Sequence, residues 1–314
     1  MQRLLVLIVT IAIASPALAG PAGVPAEDSD DTAIAPVIIE TPPPPALIPH
    51  RSKAKLYAAG GLALTYAAFT TYAYFAWFRG KENHGMGFTF EGFGVNGYAG
   101  GADKLGHAWT GYLVSRATSG FLTTAGWPRL PSSIVAASIS QVFFTLSEYE
   151  DALIYQFEIG DVIANVAGAA FAVLMINVPE VDRLIDFRFE YFPSKDYRRT
   201  VRDDGNIDFF QDYSGQSYML ALHLDAIPRM PRVLGFADLV VGFETRNYSP
   251  DPADPRDAPT QRLYLGAALN LQHVLGELFC DCPARRAGHH IAEFVSVPYT
   301  TLKALDTQRS LPVP

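Results

Sequence analysis

Leu56 to Phe78 contains no charged residue, while Arg51, Lys53 and Lys55 precede it and Arg79 and Lys81 follow. A helix over this run, rising ~1.5 Å per residue, reaches across a hydrocarbon layer of ~30 Å. Tyr72, Tyr74 and Trp77 near one end suit an interfacial aromatic belt. The buried helix of a soluble core would read the same way, so the run alone leaves both readings open. Composition leans toward a membrane: charged residues make up 18%, against the ~25% usual in soluble domains. The net charge is -8 and no long Lys/Arg run occurs. Nucleic-acid binding therefore has no electrostatic footing.

The start of the chain predicts export. Arg3 gives a positive beginning, Leu4 to Ala14 is an apolar run, and Ala17-Leu18-Ala19 is a small-residue cleavage pattern before Gly20. A signal peptide is expected over 1–19. No cysteine follows Ala19, so the pattern carries no lipid-attachment signal there. Residues 20–50, with the run Pro42 to Pro45, read as an extended linker without a core of its own. The cysteines are Cys280 and Cys282. One residue apart, they suit loop thiols or a strained small ring. A soft-metal site with His289 and His290 is the less favoured alternative, because the spacing fits no standard zinc pattern.

The expected fold class is α+β, with a membrane-associated core of about four helices over 51–180 and a small antiparallel sheet over 181–314. Helices are expected over about Asp103 to Thr124, from a cap at Ser132 or Ser133 to about Tyr155, and over Gly160 to Val178 before Pro179. Tyr191 to Phe209 reads as charged and irregular. Three segments then alternate with period two. Tyr218, Leu220, Leu222 and Leu224 share one face. So do Leu239, Val241 and Phe243, and Leu263, Leu265, Ala267, Leu269 and Leu271. Such strands are expected to be half-buried on their apolar face. Three strands are too few for a membrane barrel, which needs about eight. Residues 249–260 suit a hairpin connection, and His289 to Leu305 a closing helix interrupted at Pro298.

The chemistry-bearing residues fall in the helical stretches. Asp103 and His107 are four apart on one helix face, with Lys104 between them. Glu148 and Asp151 are three apart, and Asp161 and Asn165 four apart, with Gly168 and Ala172 continuing that face. Small residues there let another helix approach closely. Ionisable groups at membrane depth are costly and rarely unpaired. These seven residues are therefore expected to converge, either on a ligand or on one another. Asp103 and Asp161, at helix starts, also suit caps. No G-x-S-x-G elbow, P-loop, H-E-x-x-H or dinucleotide fingerprint occurs. His223 and His273 read as structural, and His50 and His84 as loop residues.

The motif Gly101-Ala102-Asp103-Lys104-Leu105-Gly106-His107, with Tyr112, Ser115 and Arg116, resembles the YfiM-like family of predicted periplasmic lipoproteins, a domain of unknown function. The resemblance continues through Glu148, Asp151, Gly160, Asp161, Asn165 and Gly168, and through Asp212-Tyr213-Ser214-Gly215-Gln216-Ser217-Tyr218. The order of the Asp-Lys-x-x-His and Asp-x-x-x-Asn helices is similar, more distantly, to VanZ-like membrane proteins. Both resemblances imply envelope biology and neither implies a reaction.

Three functions follow as expectations. The first is a non-enzymatic envelope protein, membrane-associated with a periplasmic portion, whose polar cluster stabilises the bundle or holds a lipid headgroup. The second is a membrane-embedded metal-dependent hydrolase or transferase acting on a lipid phosphate, with His107 as base or ligand. The third is a scaffold whose open strand edge binds an envelope protein partner. Membrane lipid is the expected partner; no cofactor and no resident metal is expected.

Overall fold

The structure is a computed structural model that describes residues 52–75, 79–80, 82, 85–204, 209–248 and 258–310. The expected signal peptide, the linker to His50, and Arg51, Trp77, Phe78, Lys81 and His84 lie outside these residues, as does 249–257 of the hairpin loop.

Four long helices open the fold: α1 (Ser52–Ala73), α2 (Ala102–Thr124), α3 (Arg129–Ile154) and α4 (Ile159–Asn177). Among the described residues, only α3 and α4 are long and apolar enough to cross a membrane, and most residues of each are left unburied by the protein. The described part of the expected span at Leu56 to Phe78 is not among them, which leaves two candidate crossings among the described residues. Absence of charge made α1 look apolar, yet it carries Gly60, Gly61 and several hydroxyls. Thr65, Thr70 and Thr71 turn their hydroxyls back onto carbonyls four residues earlier, at 2.8–3.0 Å. The start of α3 also differs from expectation. Pro128 is its N-cap residue, and Ser132 and Ser133 lie inside the first turns, bonding Arg129 O and Leu130 O at 2.8 Å. Pro131 costs no backbone bond there, because the first turn's N–H groups have no helical partner.

The strands β1 (Phe88–Thr89) and β2 (Phe157–Glu158) pair in parallel and tie the Gly-rich loop before α2 to the start of α4. A short helix α5 (Pro179–Asp182) then leads into the sheet. This holds β3 (Ile185–Tyr191), β4 (Gln216–His223), β5 (Ala237–Arg246), β6 (Thr260–Leu269) and β7 (Leu302–Ser310), antiparallel and in chain order. Helix α6 (Lys195–Asp204) follows β3, and helices α7 (Leu271–Leu278) and α8 (Pro283–Ala292) precede β7. The α+β class holds. Five strands replace the expected three: β3 and β7 are additional, α6 replaces an irregular segment, and the closing helix ends at Ala292.

The sheet curls. Glu190 of β3 accepts a hydrogen bond from Thr301, just before β7, at 3.1 Å, although β4, β5 and β6 stand between in the sheet order. The outer edge of β3 is covered by Phe294–Ser296, through Phe189 N to Phe294 O and Ser296 N to Phe189 O, both 2.9 Å. The edge expected to be open is thus closed on the β3 side, while β7 is exposed along its length.

Burial corrects a further expectation. Cross-strand rows Leu222–Leu239–Ala267 and Leu220–Val241–Leu265 lie on one face. On that face Leu220, Leu239, Val241, Leu263 and Leu265 are exposed. The opposite face, with Asp186, Arg188, Ser217, Met219, Ala221, His223, Asp238, Val240, Glu244 and Tyr264, is the buried one. Only one region of the apolar face meets the helices. There Tyr112, Leu113, Ala172 and Met175 pack with Phe187, Tyr218 and Phe294, and Trp109 Nε1 donates to Phe294 O at 3.0 Å.

Candidate functional site

Two glycines let the backbone assemble the site. Gly101 precedes α2 at φ +85°, and a Cβ there would lie 2.6 Å from the Phe93 ring, so the turn that starts α2 needs glycine. Gly168 of α4 faces the Ala108 carbonyl so closely that a Cβ would stand 1.8 Å from its oxygen. The helix approach expected from Gly168 and Ala172 is made by α2. With α2 and α4 this close, the first turns of both meet the last turns of α3.

Lys104 sits at the centre, 5% exposed. Its Nζ reaches Asp161 Oδ1 at 2.6 Å and Asp103 Oδ2 at 3.1 Å, and forms an ion pair with Glu158 Oε1. His107 lies beside it. Its Nε2 is 3.7 Å from Asp103 Oδ1 and 3.6 Å from Asp161 Oδ2, and its Nδ1 is 3.7 Å from Glu148 Oε1. Asn165 brings Nδ2 to 3.1 Å from His107 Nδ1, while its Oδ1 is buried without a hydrogen-bond partner. Tyr213 donates its hydroxyl to Asp103 Oδ1 at 2.8 Å.

Six of the seven residues expected to converge are in contact: Asp103, Lys104, His107, Glu148, Asp161 and Asn165. Asp151 is not; its side chain makes no ion pair or hydrogen bond among the described residues. Asp103 and Asp161 are not caps either. The N-cap positions are Gly101 and Glu158, with no side-chain cap bond at either helix. Both carboxylates turn inward to Lys104 and keep the favourable end of the helix dipole. Sequence reasoning missed Glu158 and Tyr213. Glu158 stands just before Gly160-Asp161, so its place in the motif was a usable signal. Tyr213 reaches Asp103 from far along the chain, and nothing in local spacing marks it. Arg116, from the same motif, serves elsewhere: it bonds Asp182 of α5 and reaches Glu293 Oε2 at 3.1 Å.

Counted as ionised, Asp103, Glu148, Glu158 and Asp161 face one lysine and one histidine. The set offers more carboxyl groups than its two bases pair, a surplus that suits a cation or a cationic group. Asp103, His107 and Asp161 each offer one ligand atom within 4.8 Å of the others, and they form the one such group among the described residues. Lys104 already places a positive charge on Asp103 and Asp161. Cys280 and Cys282 are free thiols.

An apolar cleft between α1, α2 and α3 adjoins the cluster. Leu62, Phe69, Leu113, Val114, Ala117 and Phe143 line it, with Thr110 and Phe144. Its wall is held by Tyr66 Oη against Thr118 Oγ1 at 3.1 Å and by edge-on contact of Tyr66 and Phe69 with Phe143, at 5.2 and 5.1 Å. Thr110 is three residues from His107 and Phe144 four from Glu148, so each pair shares a helix face. The cleft therefore lies about one helical turn from the His107–Glu148 contact.

A second polar group, unforeseen as a unit, lies on the buried face of the sheet. Arg188 gives Nη1 to Asp238 Oδ2 and Nη2 to Asp186 Oδ2, both at 2.7 Å. His223 sits between the same two carboxylates, Nε2 to Asp186 at 2.9 Å and Nδ1 to Asp238 at 3.0 Å. Burial works against the His223 imidazolium, but hydrogen bonds to Asp186 and Asp238 outweigh it and push the pKa up to about 9. The expectation that His223 is structural agrees with this placement. His273 bonds Asp225 Oδ2 at 3.1 Å beside it.

Residues 87–177 match the family model described as a predicted periplasmic lipoprotein (DUF2279). The matched stretch runs from the Gly-rich loop through α4 and contains the whole cluster except Tyr213. The resemblance to that lipoprotein family is thereby supported over this stretch, whereas the similarity to VanZ-like proteins finds no support. No curated protein matches the chain, and no solved structure does.

Proposed function

We propose that this chain is a cell-envelope protein that binds a lipid rather than transforming it. Helices α3 and α4 hold it in a bilayer, the acid-rich cluster receives a headgroup, and the cleft receives an acyl chain. The observation that carries this reading is the cleft's position, about one turn from His107 and Glu148. A polar site beside an apolar groove suits an amphiphile. The excess of carboxylates selects a headgroup bearing an ammonium. The family description of residues 87–177 supports the envelope location.

The test is retention of lipid by the full chain released from detergent in native mass spectrometry. Phosphatidylethanolamine should stay bound in preference to phosphatidylglycerol. Glu148→Gln should weaken that preference, and Ala117→Phe, which fills the cleft, should remove both lipids. Equal retention of both lipids by all three proteins would sink the reading.

A second reading is favoured by one distance, the 4.8 Å limit that encloses ligand atoms of Asp103, His107 and Asp161. In it these residues share a divalent ion, which would polarise a phosphate or activate water. Manganese or zinc should then raise the melting temperature of the wild-type chain and leave His107→Gln unmoved. An equal rise in both proteins would argue against the ion.

A further inference from the structure

The polarity of the curled sheet is the reverse of a soluble sheet's. Its buried face takes the charges: Asp186, Arg188, His223, Asp238 and Glu244. Its outer face over β4 to β6 carries no charged residue. From one end, the outer rows are Leu222–Leu239–Ala267–Leu302, then Leu220–Val241–Leu265–Leu305, then Phe243–Leu263–Thr307, whose neighbour on β4, Tyr218, is buried against the helices. Beyond these, at the end nearer α2, the same face is covered by the protein itself: Thr245 and Gln261 are buried, bonding Tyr213 O, Phe93 O and Gly100 O, and only Arg309 of that row is exposed. Apolar-out and polar-in alternation is the pattern of a strand facing lipid.

The turn from Arg229 to Phe236 stands at the Leu222–Leu239 end. Val233 is 73% exposed, and Leu234 and Phe236 are exposed too. Arg229 and Arg232 precede them, exposed and without an ion pair or hydrogen bond among the described residues. The nearest acid on that turn, Asp225, is taken by Asn270 and His273, each at 3.1 Å. Unpaired arginines beside exposed apolar side chains complement an anionic bilayer surface.

We infer that the outer face of the sheet, led by the Arg229–Phe236 turn, docks on the surface of a bilayer containing anionic lipid. The apolar rows from Leu239 to Phe243 extend only about 13 Å at ~3.3 Å per residue. A spanning barrel shows a band of ~25 Å. The face therefore sinks to interfacial depth and does not cross. This replaces a sheet domain standing free in the periplasm with one lying on lipid.

The full chain, with Cys280 and Cys282 replaced by serine, is reconstituted into phosphatidylcholine vesicles with or without phosphatidylglycerol. An environment-sensitive fluorophore is placed in turn at Val241→Cys, Val233→Cys, Arg309→Cys and, on α4, Val166→Cys. Positions 241 and 233 should be quenched by brominated acyl chains when phosphatidylglycerol is present, and position 309 by aqueous iodide. Replacing Arg229 and Arg232 by glutamine should lower the docked-to-free ratio at position 233 about fivefold per arginine. Iodide quenching at 241 equal to that at 309 overturns the proposal. Shielding of 241 from both quenchers, with disulfide crosslinking of two copies through that cysteine, also overturns it and assigns the face to a second copy. Position 166 reports on the helices separately, so lipid contact there with an aqueous 241 rejects the docking and keeps the membrane-held bundle.

Discussion

The molecule holds two buried polar groups built from the same side-chain types, one among helices and one inside the sheet, and they differ in charge balance. In the sheet, Asp186 and Asp238 face Arg188 and a protonated His223, and the four charges cancel. Both ring nitrogens of His223 are used, and the guanidinium of Arg188 is shared between the two carboxylates. In the helices, Asp103, Glu158 and Asp161 crowd Lys104, Glu148 stands with His107, and Asn165 keeps an unsatisfied oxygen. A balanced set satisfies itself and makes structure. An unbalanced one stores a demand that a bound group can meet, which sets the cluster at Lys104 and His107 apart from the one at Arg188.

The largest effect expected from this contrast is at Arg188. Arg188→Met strands two buried carboxylates and should cost about 3–5 kcal/mol in equilibrium unfolding; a loss near zero would break the comparison at its firmer side. Next comes pH. The folded His223 titrates at about 9, above the ~6.5 of an unfolded histidine. Its contribution is fully present below ~6.5 and lost as pH rises through about 9. The loss should reach roughly 3 kcal/mol, read as denaturant midpoints across that window, and be absent in His223→Gln. Gly168→Ala should follow, forcing α4 off the Ala108 carbonyl at a cost of about 1–3 kcal/mol. That change should disturb the helical cluster and leave the His223 titration where it was. The smallest effect should be Asp161→Asn, which keeps an acceptor for Lys104 and removes part of the charge excess. Its unfolding free energy should stay within about 1 kcal/mol of wild type, whereas Asp238→Asn should lose about 2–3 kcal/mol. Similar losses from the two asparagines would erase the distinction.

The helical cluster was legible because its spacing is local. Asp103 with His107, and Asp161 with Asn165, each obey the four-residue repeat. Two runs that both carry expensive groups on one face must turn those faces toward each other. The sheet cluster depends on register instead: Arg188 and Asp238 meet only because β3, β4 and β5 align as they do, with Asp186 opposite Ala221 and Asp238 opposite His223. No local pattern fixes that. Strand β3 alternates, Ile185, Phe187, Phe189 and Tyr191 against Asp186, Arg188 and Glu190, but it is short and three of its residues are charged, which disguises a strand with a buried polar face. Strand β7 hides its period behind the register shift opposite Leu265 and Gly266. Alternation reveals that a strand has two unlike faces and says nothing about which one is covered. That is how the leucine face came to be expected inside.

The seam between Phe189 and Val295 has a bearing on biogenesis. The first strand of the sheet receives its outer neighbour from a stretch made well after it, beyond β4, β5 and β6. During synthesis, β3 can pair with β4 while its other border waits. Bare backbone donors and acceptors invite wrong partners for as long as they stay unmet. The Phe294–Ser296 stretch thus acts as a late latch, and a chain shortened before it would be left with the sheet unfastened.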